Sequence, residues 1–242
     1  MAAVFFNVTL MRGPVGLAAT PDSPAMAAAA FFVFCLAQVA ETERRAWCLP
    51  AGVAGGFALL SKYRAPFLGA GALLWLCLSP RERRWLRSPR PYLGAAVALV
   101  MFAPVIVWNA SHNWISFAWQ FGRVVSRGFS LRYLGDFAAG QVGLATPFIL
   151  LLGLAGVLGI VATEAKRRAP ILLVAAMLAP AAAYFVWHSL HSRVQGNWPS
   201  FLYPAFCIAA AWPAQAGGLA GRVVRFSRSA ALPPAVVLPV LV

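Results

Sequence analysis

The chain has 242 residues, 61% of them hydrophobic and 11% charged, with a mean hydropathy of +0.75. Soluble domains carry about 25% charged residues, so the composition excludes an ordinary soluble domain and describes an integral membrane protein. The net charge of +14 comes from 20 Lys and Arg against 6 Asp and Glu. The basic residues fall in short clusters between apolar runs, a pattern of topology and anionic-lipid contact without the basic domain of a nucleic-acid binder.

In chain order, Met1–Met11 is apolar but shorter than the ~20 residues a span needs. An uncharged run follows Thr20-Pro21-Asp22-Ser23-Pro24 and covers Pro24–Ala40. The next runs are Leu49–Ser61, with Gly52, Gly55 and Gly56 permitting close helix approach, then Ala65–Leu78 and Tyr92–Trp108. A polar, amphipathic stretch from Ser116 to about Gln141 precedes Val142–Ala162, Pro170–Trp187 and Pro199–Pro213, and a last run starts near Ala231. The reading is all-α: a single polytopic bundle over 1–242 with about seven full spans and partial spans at both ends. Cys35, Cys48, Cys77 and Cys207 read as apolar packing residues, with neither disulfide nor metal spacing.

Alternate loops carry 13 of the 20 basic residues: Arg44/Arg45, Arg81–Arg90, Lys166–Arg168 and Arg222–Arg228. The positive-inside rule assigns these to the cytoplasm. Asp22, Ser61–Arg64, Trp108–Trp114 and His188–Trp198 then share the outer, periplasmic face of a bacterial inner membrane. All three histidines lie there, so a working site is expected to open on that side.

Each outer-face motif has a structural and a functional reading. Asp22 or Ser23 caps a helix whose first residue is Pro24, or Asp22 serves as a carboxylate contacting a sugar hydroxyl, an amine or a metal. Lys62 and Arg64 snorkel to lipid headgroups, or hold a lipid phosphate. Tyr63 belongs to an aromatic belt or to a substrate wall. Asn109 and His112 sit in a Trp-bracketed polar loop, either an interfacial turn or a sugar-binding wall. Arg123, Arg127 and Arg132 make a basic stripe on an interfacial helix, or a solvated face. His188, His191, Arg193, Asn197 and Trp198 form the densest polar cluster; a two-histidine zinc site would need ligands that are not nearby, and phosphate or sugar contact suits His191 and Arg193 better.

Four segments in order, Thr20-Pro21-Asp22, "GGFALLSKY" to Tyr63, "PVIVWNASHNWISFAWQFGR" (Pro104–Arg123) and "VQGNWPSFLYPA" (Val194–Ala205), resemble the bacterial family 39 glycosyltransferases. These membrane enzymes include lipid A aminoarabinose and galacturonic acid transferases and relatives of protein mannosyltransferases. The resemblance implies a GT-C fold with a periplasmic active site. It implies inverting transfer from a polyprenyl-phosphate-linked sugar to a lipid A-type glycolipid or a protein. A carboxylate base deprotonates the acceptor hydroxyl, and Lys and Arg stabilise the departing lipid phosphate. Carried onto this chain, Asp22 becomes a supporting carboxylate. Lys62, Tyr63, Arg64, Asn109, His112, Arg123, His191, Arg193, Asn197 and Trp198 become substrate contacts. Family members also use a divalent metal, whose ligands the sequence does not place. The family pattern expects a first helix and an acidic periplasmic loop ahead of Thr20-Pro21-Asp22, so the chain reads as N-terminally truncated and lacking its main base.

Two readings compete with the enzyme. A transporter or flippase of a lipid-linked substrate predicts internal repeats and helices broken at the midplane, which the sequence does not display. A catalytically inactive membrane remnant leaves the outer-face Lys, Arg and His residues without a use.

Overall fold

The computed structural model describes residues 1–11, 20–122, 128–162 and 169–213, and all regular structure among them is helical. The expected run near Ala231 and the basic residues Lys166–Arg168 and Arg222–Arg228 lie outside these residues. Among the described residues ten α-helices follow one another: α1 (Ala2–Val8), α2 (Asp22–Thr42), α3 (Cys48–Ser61), α4 (Pro66–Leu78), α5 (Pro89–Ser111), α6 (Ile115–Gly122), α7 (Leu131–Ala145), α8 (Pro147–Ala162), α9 (Ala169–Ser189) and α10 (Tyr203–Ala211). Short 3-10 turns at Arg45–Trp47, Glu82–Arg87 and Ser200–Leu202 link them.

Local chemistry sets several boundaries. Asp22 sits in the first turn of α2, where a carboxylate complements the helix dipole, and Glu43 closes that helix in the left-handed region at φ 54°. Ser88 caps α5 by accepting the Arg90 N–H, with Pro89 at the first helical position. Ser130 caps α7 in the same way through Arg132 N.

The described residues do not confirm the count of about seven full spans. Among the described residues, three helices, Asp22–Thr42, Pro89–Ser111 and Pro170–Ser189, are long and apolar enough to cross a membrane, or four spans if a bent pair counts as one. That pair is the expected Val142–Ala162 span, which breaks at Thr146 with a bend of 104° between Leu131–Ala145 and Pro147–Val161. Thr146 adopts φ 66°, and Pro147 lacks the N–H that would continue the ladder. The helices at Cys48–Ser61 and Pro66–Leu78 do form, but 14 and 13 residues reach only ~20 Å, against ~30 Å of hydrocarbon. Hydropathy alone could not separate these short packed helices from complete spans.

α3 packs between α2 and α5, α4 lies on α9, and α8 lies on α10. The main core joins these layers through Phe32, Ala54, Leu68, Trp75, Met177 and Phe201. Cys35, Cys48 and Cys207 are buried and Cys77 is exposed; all four are free thiols. The helix directions bring Asp22, Lys62 and Asn197 to one end of the bundle. Glu43, Arg81 and Arg84 meet at the other, where Glu43 Oε1 is 2.8 Å from each guanidinium. Residues that the charge pattern assigns to one side are thus joined to one another.

Glu82, at the Arg-rich end, is fully buried. Trp85 Nε1 donates to its Oε2 at 2.8 Å, and Arg81 Nε lies 3.6 Å from Oε1, which accepts no hydrogen bond among the described residues. Burial pushes this carboxyl above its ordinary value of 4.5. Such a group contributes stability below its unfolded value that is lost as pH rises through the higher folded value. Glu82→Gln keeps an acceptor for Trp85 and removes the charge. Melting temperatures in detergent are therefore expected to rise at neutral pH and to decline less from acid to neutral; an unchanged profile would discount Glu82.

Candidate active site

The site is built around one carboxylate. Asp22 is only 3% exposed, and both its oxygens are engaged. Lys62 and Ser200 donate to Oδ1, and Asn197 Nδ2 donates to Oδ2 at 3.0 Å. Lys62 Nζ also donates to Asn197 O at 2.8 Å and to Ser200 Oγ at 3.0 Å. All three ammonium protons thus have acceptors. The partners lie 40, 175 and 178 residues from Asp22. Lys62 is placed by the end of α3, where the backbone turns extended and Lys62 N still donates to Ala58 O. Asn197 and Ser200 are placed by the tight turn leading into Ser200–Leu202. Burial pulls the Lys62 ammonium below its ordinary value, and the Asp22 carboxylate opposes that pull.

A second layer surrounds this pair. The Arg64 guanidinium lies 3.7 Å over the Trp198 ring, a cation–π contact that fixes it beside Asn197. Trp198 Nε1 donates to Gln195 Oε1, and Gln141 Nε2 reaches Gly196 O, each at 3.0 Å. Tyr203 donates to Gln141 Oε1, so α7 and α10 both brace the loop that carries Asn197. Tyr63 points the other way, its ring 5.3 Å from Phe117 and 6.3 Å from Phe102.

The remaining expected residues are not gathered around Asp22. Asn109 is fully buried and engages backbone: Nδ2 donates to Val105 O, and Oδ1 accepts the Ser116 N–H. It anchors the turn between α5 and α6, where Asn113 and Trp114 take φ of 52° and 58°. His112 stacks on Trp108 at 4.1 Å, with Nδ1 2.7 Å from Trp108 O. His191 Nδ1 lies 3.0 Å from Trp187 O, against the rings of Trp187 and Phe129. Arg193 is exposed. Arg123 and Arg127 lie outside the described residues.

Sequence reasoning missed Ser200, Gln141 and Tyr203. Ser200 stands three residues after Asn197, a spacing that could have suggested a shared side of a tight turn. Gln141 and Tyr203 gave no signal beyond being polar at the edge of apolar runs. His188 was seen in the cluster but given no role; it is 1% exposed, stacked on Tyr184 and 5.7 Å from the Trp198 ring.

A divalent metal does not fit the described residues around Asp22. No group of three His, Cys, Asp or Glu side chains comes together among the described residues, and Asp22 is enclosed by Lys62, Asn197 and Ser200.

Beside the site runs a groove of about 1010 Å³, lined almost wholly by apolar side chains. Gln141, Pro199 and Leu202 border it at the Asn197 loop, and Leu74, Leu78 and Pro80 line it toward the opposite end of the bundle.

Fold and site together define an all-helical membrane protein with an ion-paired polar site at one end and an apolar groove beside it. Comparison with known proteins agrees with that class. Residues 1–108 match the family described as dolichyl-phosphate-mannose-protein mannosyltransferase. The lipid A galacturonosyltransferase RgtD of Rhizobium johnstonii is 27% identical over 181 residues, which cover 73% of this chain and 37% of that relative. The chain thus aligns with little more than a third of the relative's length. No solved structure matches the chain. The resemblance to GT-C-type membrane glycosyltransferases is borne out by these two matches.

Proposed function

We propose that the chain provides the donor side of a family 39-type glycosyltransferase, moving a sugar from a polyprenyl-phosphate carrier to a lipid A-type glycolipid or protein. The observation that carries this reading is the adjacency of the Asp22–Lys62–Asn197–Ser200 cluster, the Arg64–Trp198 stack and the apolar groove. A lipid-linked sugar has matching parts: a long hydrocarbon tail, an anionic phosphate and a polar sugar. A groove of about 1010 Å³ reaching from the Asn197 loop toward the other end of the bundle suits the tail.

In this reading the transfer is inverting and takes place at the periplasmic face of the inner membrane, in keeping with the clustering of basic residues at the opposite end. Asp22 is a positioning residue: it holds Lys62 and the Asn197 loop in place. Lys62 and Arg64 supply positive charge to the leaving phosphate, where preformed charge is most effective in a site that excludes water. Lys62 reaches the phosphate by exchanging the Asn197 carbonyl or Ser200 for a phosphate oxygen. Trp198 offers an aromatic face to the sugar and Asn197 a hydrogen bond, while Tyr63 packs away from them on Phe102 and Phe117. His112, His191 and Arg193 belong to the rim, where the acceptor would approach; Asn109 holds the turn between α5 and α6.

Mass spectrometry of envelope glycolipids and glycoproteins, in cells with and without the intact gene, tests this reading. It expects one hexose- or uronic-acid-sized adduct to vanish on deletion and to return on complementation. Identical glycan profiles, with the protein present in the membrane, would sink it.

A further inference from the structure

The end of the bundle away from Asp22 holds a second polar cavity, of about 350 Å³. It lies where the C-terminus of α2 and the N-terminus of α5 meet, and its wall includes Glu43, Arg45, Arg84, Arg87 and Ser88. Arg84 is neutralised there: with Arg81 it binds Glu43 and holds that carboxyl down at about 2. Arg45 and Arg87 differ. Both are exposed, both face the cavity, and neither guanidinium has an ion-pair or hydrogen-bond partner among the described residues. Two unpaired guanidiniums on one wall repel each other, and their forked donors match the oxygens of a phosphate.

We propose that this cavity binds the phosphate group of an anionic membrane phospholipid. The position favours a lipid over a soluble anion. α2 and α5 are two of the three helices long enough to cross a membrane, so their ends lie at headgroup depth. Tyr92 and Leu93, a few residues into α5, are 58% and 49% exposed and leave room for acyl chains alongside the helix. With α5 about 34 Å long, the site stands a bilayer thickness away from Asp22. It anchors the short α2–α3 connection to one leaflet and is independent of any transfer reaction.

The test is native mass spectrometry of the detergent-solubilised full chain, titrated with phosphatidylglycerol, phosphatidylcholine or inorganic phosphate. Phosphatidylglycerol is expected to bind more tightly than either of the others. Losing two surface guanidiniums at about fivefold each, Arg45→Gln/Arg87→Gln should weaken that binding roughly thirtyfold. Arg44→Gln/Arg90→Gln removes the same charge from the same end at residues outside this cavity's lining, and it should leave binding unchanged. Equal loss in both double variants would mean diffuse surface charge and overturn the site. Inorganic phosphate binding as tightly as phosphatidylglycerol would overturn the lipid as its occupant.

Discussion

Asp22→Asn is expected to destabilise the protein by about 3–5 kcal/mol, because it leaves the Lys62 ammonium charged and enclosed without its counter-ion. The Asp22 and Lys62 side chains are only 5% and 11% exposed, so solvent cannot take over the lost interaction. Ser200 and Asn197 lose a charged acceptor in the same step. Asp22→Asn/Lys62→Met should recover much of the loss, since removing both charges leaves neither one unpaired. A double-mutant cycle read from thermal unfolding in detergent measures the coupling. Strictly additive losses would show that Asp22 and Lys62 do not form a pair in the folded protein.

The second large effect belongs to the helix interfaces. A Cβ on Gly52 would lie 2.2 Å from Gly94 O, and one on Gly94 would lie 2.4 Å from Cys48 O. α3 and α5 therefore touch backbone to backbone, and a side chain at either position must push the helices apart, because no rotamer change relieves a clash with main chain. Gly52→Val is expected to cost about 1–3 kcal/mol or more by overpacking. Gly156 has the same role between α8 and α10, where a Cβ would meet Ala209 O at 1.9 Å. Gly69 meets nothing within 4 Å, so Gly69→Ala should be neutral or stabilise by about 0.5–1 kcal/mol. Similar melting temperatures for Gly52→Val and Gly69→Ala would contradict this account of the bundle.

How far the sequence discloses the site depends on the residue. Asp22, Lys62 and Asn197 could be grouped because charge asymmetry and alternating runs put them on one side, and each is a polar residue at a costly place. Ser200 was harder to place, since a lone Ser after Trp-Pro carries no charge and only its three-residue spacing from Asn197 hints at the turn that brings its hydroxyl to Asp22. Arg64 and Trp198 were both singled out, but their stacking depends on two loops about 130 residues apart. Asn109 shows the opposite limit: its polar context suggested ligand contact, and the structure uses its amide on the turn between α5 and α6. The span count depends on features of the same kind. Hydropathy reports where helices are apolar, whereas the break at Thr146 and the short α3 and α4 depend on backbone geometry and close packing.

Arg64 is the residue on which the reading turns, because its guanidinium stacks on Trp198 beside the loop that carries Asn197. The direct measurement is sugar transfer by membranes carrying the intact protein with Arg64→Gln, read by mass spectrometry of the glycosylated acceptor beside the melting temperature. The account predicts transfer reduced by about a hundredfold or more, the scale of losing one charged group from a transition-state site, with insertion and melting temperature close to the parent's. Transfer at the parental rate would contradict it and would remove this end of the bundle as the place where the lipid phosphate is held.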